Sequence, residues 1–295
     1  MFGKKAAYVT AGYGQTARDH RDWQEYLTEF VREDPRNHLP EGDCFPIFGP
    51  PVVGIASADD PLFAELSRPE VVASHHVRPD FWMPEARSVI SFFAPFSREI
   101  KAAYKKGERL PPLEWVSGRL NGEVFINVLR RAILRLVEKQ GGQAVIPNLD
   151  LRYWAENWLP IWSERHVGFI AGVGTFGLHA GLLTEKGAAG RMGSVVTNLS
   201  LPVRPRDYEG VYDYCLWKSE GRCRACAKRC PVEAIDHERK DHTICAANGA
   251  KHIHPAYLAW GYHACGHCQN NLPCSNGIPK KRKRVSSQRP DFRLD

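Results

Sequence analysis

Eight of the nine cysteines lie in one stretch: Cys215, Cys223, Cys226, Cys230, Cys245, Cys265, Cys268 and Cys274. They read C-x7-C-x2-C-x3-C-P, then one isolated cysteine, then C-x2-C-x5-C. Eight thiolates are what two [4Fe–4S] clusters require, at four per cluster. Two residues between cysteines let both sulfurs reach one cluster from a tight turn whose backbone N–H groups face the sulfides. Paired C-x2-C knuckles also make structural zinc sites, and cysteines can pair as disulfides. The C-x2-C-x3-C-P run, the lone Cys245 and the total of eight favour iron and sulfur over zinc. Disulfides fit least, because no secretory leader precedes them.

The run from Cys223 to Pro231 carries the ferredoxin signature, whose final Cys-Pro ligates the other cluster of a two-cluster module. On that cross-over rule the first cluster takes Cys215, Cys223, Cys226 and Cys274. The second takes Cys230, Cys245, Cys265 and Cys268. Pro231 is expected to end the ligand loop and start a helix at Val232–Ile235.

These ligands need a scaffold, and the 295 residues are enough for one large or two modest domains. Hydrophobic content of 43% and charged content of 25% are ordinary for a globular chain. No apolar run approaches the ~20 residues of a membrane span. The N-terminus has basic residues but no sustained apolar stretch. A cytoplasmic, reducing location without membrane contact is therefore expected, which suits clusters. The net charge of +7 includes five consecutive basic residues, Lys280–Arg284, in a tail after Gly277. That run reads as a solvated tail, or else as a contact for a polyanion such as tRNA; nuclear import fits poorly beside two clusters. Cys44, far from the others, reads as a small buried apolar residue.

Helical spacing of Trp23, Tyr26, Leu27, Phe30 and Val31 predicts an amphipathic helix over Thr16–Glu33, ended by Asp34-Pro35. A Pro/Gly-punctuated loop over residues 46–56 leads into a short strand, and Asp59-Asp-Pro-Leu62 resembles a helix start. Val89–Ala94, an apolar run bounded by Pro95, predicts a buried strand. Glu123–Lys139 is the clearest helix, with Val124, Phe125, Val128, Leu129, Ala132, Ile133, Leu136 and Val137 on one face and Arg130, Arg131 and Arg135 mostly off it. Ala144–Pro147 and Val195–Leu199 predict further strands. The alternation is too irregular for a doubly wound parallel sheet, so residues 1–210 are expected to form an α+β domain. Residues 211–279 would be the cluster module and 280–295 a basic tail.

Gly172-Val-Gly-Thr-Phe-Gly177 matches G-x-G-x-x-G, but the four further glycines up to Gly193 argue against the helix a dinucleotide fingerprint needs. The alternatives are tight turns without a ligand, or close backbone approach to a large flat ligand. Trp154, Trp158 and Trp162 recur at every fourth position, a helical stripe, with Glu156 and Asn157 between them. A carboxylate among indoles would have a raised pKa suited to a general acid.

Four segments together resemble the epoxyqueuosine reductase and reductive dehalogenase superfamily, and within it the short, reductase-like branch. They are Ala86–Pro95, Ser163–Gly177, Gly193–Asn198, and the cysteine module with Tyr262-His-Ala-Cys-Gly-His-Cys-Gln269. The resemblance covers about residues 80 to 279. It implies a nitroreductase-like α+β domain holding a corrinoid (cobalamin), beside a ferredoxin-like module that feeds electrons singly to cobalt. In epoxyqueuosine reductase the substrate is a modified base of a tRNA anticodon, and an aspartate ahead of an Ala-Pro donates a proton. Laid on Pro160, that aspartate position falls at Asn157, with Glu156 adjacent and the nearest aspartate at Asp150. Asparagine is no general acid, so epoxide reduction is not assigned. The outlying Cys215 and the C-x5-C ending also depart from the family pattern.

These readings predict an iron–sulfur oxidoreductase passing single electrons to a corrinoid reduction site. The cluster ligands are the eight cysteines. Glu156 and Asn157 are the catalytic candidates, and Trp158, Arg165, Gly172, Gly174, Thr175 and Gly177 the cofactor-binding ones. A ferredoxin- or flavodoxin-type donor would supply electrons, and a small organic or nucleoside compound would accept them. The alternative is a protein that binds or reduces a corrinoid, or relays electrons, without an organic substrate of its own.

Overall fold

The computed structural model describes residues 20–39, 45–104, 110–155, 159–251 and 265–280. In chain order its elements are α1 (His20–Glu33), β1 (Val52–Ser57), α2 (Leu62–Glu65), α3 (Pro79–Trp82), β2 (Ser88–Pro95), α4 (Arg98–Ala102) and α5 (Leu113–Lys139). Then come β3 (Ala144–Val145), α6 (Glu164–Ile170), β4 (Gly174–Phe176), β5 (Leu182–Thr184), β6 (Gly190–Thr197), α7 (Leu216–Glu220), α8 (Ala225–Lys228) and α9 (His242–Lys251).

Four strands form one sheet in the order β1-β2-β6-β3, every neighbouring pair antiparallel. Side chains alternate across a strand, and here both faces are covered. Val53, Ile55, Ile90, Phe92 and Val195 face a core built with α1 and α5. Val52, Ala56, Val89, Phe93 and Val196 face a second core built with α2, α3 and α6. Covering on both sides explains why β2 is buried throughout and reads as an unbroken apolar run instead of an alternating one. The result is the mixed α+β architecture expected from the element pattern. Among the described residues no helix is long and apolar enough to cross a membrane.

Several local expectations are corrected. α5 begins ten residues before Glu123, at Leu113. Ser117, Gly118, Asn121 and Gly122 are poor helix formers, but packing overrides propensity. A Cβ on Gly118 would meet Ile100 at 2.6 Å and one on Gly122 would meet Phe48 at 2.8 Å, so these glycines let the helix lie close to its neighbours. On the same helix Arg130 is buried, not off the apolar face, while Val124 is 66% exposed. Arg130 turns inward because both terminal nitrogens of its guanidinium are engaged. It donates to Glu123, Asn127, Asn148, Glu164 and the Met192 carbonyl at 2.7–3.3 Å.

β6 begins at Gly190, five residues before Val195, because pairing with β2 recruits Gly190–Ser194. The tryptophan stripe is not helical. Residues 151–153 make a single 3-10 turn, Trp154 pairs with Pro160 in an isolated bridge, and Trp154 is half exposed whereas Trp162 is buried. Trp154 and Trp162 therefore share no helical face, and Trp158 lies outside the described residues. Pro231 starts no helix. Glu233 turns back with a φ of 54°, and Ile235 pairs with Lys240. Thr16 and Cys44 lie outside the described residues.

Among its described residues the chain from 211 onward adds no strand to the sheet. Hydrogen bonds fasten it to the rest. The Ala188 N–H donates to the Cys274 carbonyl at 2.9 Å. Asn271 donates to the Tyr104 carbonyl at 2.7 Å, and the Tyr104 hydroxyl donates to the Cys265 carbonyl.

Candidate redox site

Cys215 caps the start of α7, and Gly221 ends that helix in the left-handed region at φ 68°. Cys223 (φ 122°) and Arg224 (φ 57°) keep the backbone in conformations rare for residues with a side chain, and Cys226 follows inside α8. These turns bring Cys215, Cys223 and Cys226 to one cavity, which Cys274 enters from the distant end of the chain. The cavity has a volume of about 30 Å³, and Leu178, Leu183, Leu216 and Leu272 make it apolar.

Burial pushes the Cys226 thiol up to about 12, helped by Cys268, Cys215 and Cys223. Burial does the same to Cys274, again to about 12, with Cys226, Cys215 and Cys223 as its charged neighbours. Cys268 is pushed up to about 11, chiefly by burial, with Cys265, Cys245 and Cys230 around it and Lys240 opposing. Cys265 is raised by burial, and Cys245 and Cys230 stand beside it. Cys274 thus has Cys226, Cys215 and Cys223 for charged neighbours and Cys268 has Cys265, Cys245 and Cys230, while Cys226 also neighbours Cys268.

Four thiols crowded into apolar surroundings resist ionising alone. A bound cationic iron–sulfur core reverses that, since metal charge favours the thiolate. The donor set therefore fits the group. The Ala234 N–H also donates to the Cys230 sulfur at 3.2 Å. Among the described residues no group of three or more side chains closes on a single metal ion.

A second, half-open cavity of about 230 Å³ shares Gly177 and Leu178 with the first. Phe176, Gly177 and Leu178 wall it on the sheet side, and Lys218, Arg239 and Lys240 on the cysteine-rich side. Arg165 adds a fourth cation against one anion, Glu238. Lys240 joins this cavity to the second quartet. Burial lowers it, but Cys268 and a hydrogen bond to Cys245 outweigh that and leave its pKa raised. His166, stacked at a tilt on Phe176, is pushed down to about 3, first by burial and then by Arg165 and His76. Its Nδ1 lies 2.7 Å from the Ser163 hydroxyl.

Of the cofactor-binding candidates, Arg165 and Gly177 line this second cavity, and Gly172, Gly174 and Thr175 do not. Gly172 is left-handed (φ 79°), and Gly174 approaches its hairpin partner so closely that a Cβ would stand 2.0 Å from the Leu183 carbonyl oxygen. Thr175 is buried and accepts the Tyr214 N–H at 2.9 Å, which fixes the approach to Cys215. Glu156, Asn157 and Trp158 lie outside the described residues, as do Tyr262 to Ala264. Asp150 is a structural cap. It accepts the Arg152 N–H at 2.9 Å and two guanidinium N–H groups, and Arg152 holds its carboxyl below the usual range. His179 and Lys240, which line the cavities, carry no spacing that sequence reading could detect.

No protein-family model matches the chain. The tetrachloroethene reductive dehalogenase of Desulfitobacterium hafniense is 33% identical over 114 residues, 37% of this chain and 20% of that protein. That of Dehalobacter restrictus is 32% identical over the same extent. The chain therefore aligns with about a fifth of these curated relatives. A structure of epoxyqueuosine reductase from Bacillus subtilis superposes over 89% of this chain and 68% of its own, with a TM-score of 0.50 and 15% identity. A reductive dehalogenase whose structure was used to suggest a mechanism for B12-dependent dehalogenation superposes over 88% of this chain and 32% of its own, with a TM-score of 0.50 and 16% identity. The chain shares the fold of these reductases, as the sequence resemblance anticipated.

Proposed function

We propose that this protein is an iron–sulfur oxidoreductase in which two [4Fe–4S] clusters deliver single electrons to a reduction site in the Arg165–Lys240 cavity. One observation supports the reading: Cys215, Cys223, Cys226 and Cys274 line one cavity, Cys268 has Cys265, Cys245 and Cys230 as charged neighbours, and the Arg165–Lys240 cavity shares Gly177 and Leu178 with the first. Residues 1–210 would hold the reduction site and 211–279 the clusters. The first cluster would be held by Cys215, Cys223, Cys226 and Cys274, and the second by Cys230, Cys245, Cys265 and Cys268.

The second cavity suits a corrinoid in two respects. The Phe176 ring and the bare backbone at Gly177 offer a flat wall, and four cations would answer a phosphate-bearing tail. A bound corrinoid would supply one- and two-electron chemistry at cobalt. The chain's part is to shield it, to orient it with Arg165 and Gly177, and to keep a proton-bearing ammonium, Lys240, between cavity and sulfur. Glu156 or Asn157 would meet the substrate from the loop before Pro160. The half-open cavity favours an enzyme over a pure electron relay, which would need no room for a second reactant. Ferredoxin or flavodoxin would be the donor, and a small organic or nucleoside compound the acceptor.

Anaerobic purification tests this. About eight irons and eight acid-labile sulfides per chain are expected, and added cobalamin should shift its visible absorption on binding. Zinc, or no metal, would end the cluster reading, and an unchanged corrinoid spectrum would remove the corrinoid.

A further inference from the structure

Among the described residues, two side chains that line the first cavity, His179 and Arg224, each keep a buried nitrogen without a hydrogen-bond partner, and His179 is the one set by its backbone contact. His179 is 4% exposed, and its ring lines the cavity with Cys215, Cys223, Cys226 and Cys274. Nδ1 accepts the Gly181 N–H at 3.0 Å. A nitrogen that accepts carries no proton, so in the neutral ring the hydrogen sits on Nε2. Nε2 is buried and has no hydrogen-bond partner among the described residues. Gly177 leaves it room, for a Cβ there would come to 3.0 Å from Nε2. Buried donors are rarely left unpaired, and each one calls for an explanation.

We propose that His179 donates its Nε2–H to sulfur of the cluster held by Cys215, Cys223, Cys226 and Cys274, as a positioning residue that raises that cluster's reduction potential. The inference rests on the cluster reading above and goes beyond it. Reduction adds negative charge to the cluster and its sulfurs. A fixed N–H donor stabilises the reduced form more than the oxidised one, so the potential rises. The Gly181 hydrogen bond sets the tautomer, much as outer partners orient histidines at other metal sites. The cluster beside it, held by Cys230, Cys245, Cys265 and Cys268, would keep its own potential. The first cluster would thus receive electrons more readily than its ligands alone allow, which biases the direction of flow between the two.

The test is an anaerobic redox titration of the full chain followed by electron paramagnetic resonance, in wild type, His179→Leu and His179→Gln. Iron content is measured in each. With about eight irons retained, His179→Leu should move one of the two midpoints to more negative potential and leave the other in place. His179→Gln, which keeps an N–H donor, should restore much of that shift. Two unchanged midpoints in His179→Leu overturn the proposal, as does an equal shift of both. If His179→Leu fails to assemble, histidine-selective 15N labelling with pulsed resonance decides, in a His267→Gln background because His267 adjoins Cys268. A histidine 15N coupling on one reduced cluster supports the contact, and its absence refutes it. Wild-type protein without iron and sulfide would instead sink the cluster reading itself, so the two failures are separable.

Discussion

Trp115 packs directly on Gly266. The Gly266 backbone is left-handed (φ 71°), and a Cβ there would stand 2.3 Å from the indole. Gly266 lies between Cys265 and Cys268, and Trp115 lies in the first turn of α5. The second sulfur quartet is thus seated on the long helix that also covers the sheet. Gly266→Ala should cost ~1–2 kcal/mol from the left-handed backbone alone, and more from displacing the loop or the ring. Thermal melting should fall, and iron content should fall with it. An alanine variant with wild-type melting and full iron would show that this contact does not seat the loop.

The quartets should come apart one at a time. Cys223→Ala removes a ligand of the first and Cys245→Ala one of the second. Each should reduce iron from about eight to about four per chain, with the surviving cluster's signal differing between the two variants. If both variants lost the same signal, the assignment of cysteines to quartets would be wrong.

Arg130 stands at the junction of α5, α6 and β6, 3.2 Å from Glu164 and 3.3 Å from Glu123. Arg191 binds the same Glu123. Arg130→Met leaves Glu164, whose side chain is 14% exposed, without its partner. Breaking a buried pair from one side costs ~3–5 kcal/mol, which equilibrium urea unfolding would read. Adding Glu164→Gln should recover part of the loss; a fully additive double variant would mean the pair is not coupled.

Stability should fall on mild acidification. Burial pushes His76 down to about 4 and His166 to about 3, against an ordinary value of 6.5. The His76 Nε2 accepts the Ser163 N–H at 3.1 Å, which requires the unprotonated atom. Below pH 6.5 the unfolded chain takes up protons that the folded imidazoles refuse. The stabilisation is therefore complete above pH 6.5 and is lost progressively as pH falls toward 4 and below. At ~1.4 kcal/mol per pKa unit, each histidine accounts for a few kcal/mol across that window. Urea midpoints measured from pH 7 to pH 4.5 should decline, and His76→Gln should flatten the decline. A flat wild-type profile would count against buried neutral imidazoles.

What the sequence determined by itself is local. Ligand identity and spacing within Cys223–Pro231 and Cys265–Cys274, the apolar run of β2 and the amphipathic period of α1 follow from neighbours a few residues apart. An α+β architecture that is not a doubly wound parallel sheet was legible in the irregular alternation of elements, and the glycines after Gly177 argued against the helix of a dinucleotide fingerprint; the antiparallel pairing itself was not legible. Tertiary structure decided what depends on distant segments. It brought Cys274 to Cys215, folded Arg130 into a polar pocket of five partners, and extended α5 back through two glycines that only packing makes useful. It also decided that Thr175 clamps the ligand loop and that His179 Nε2, without a partner among the described residues, belongs to the cavity lined by four cysteines. A hydrogen bond across 39 residues, or a cavity between two ends of the chain, leaves no periodicity in the sequence, because the interaction depends on where the backbone returns and not on what stands beside each residue.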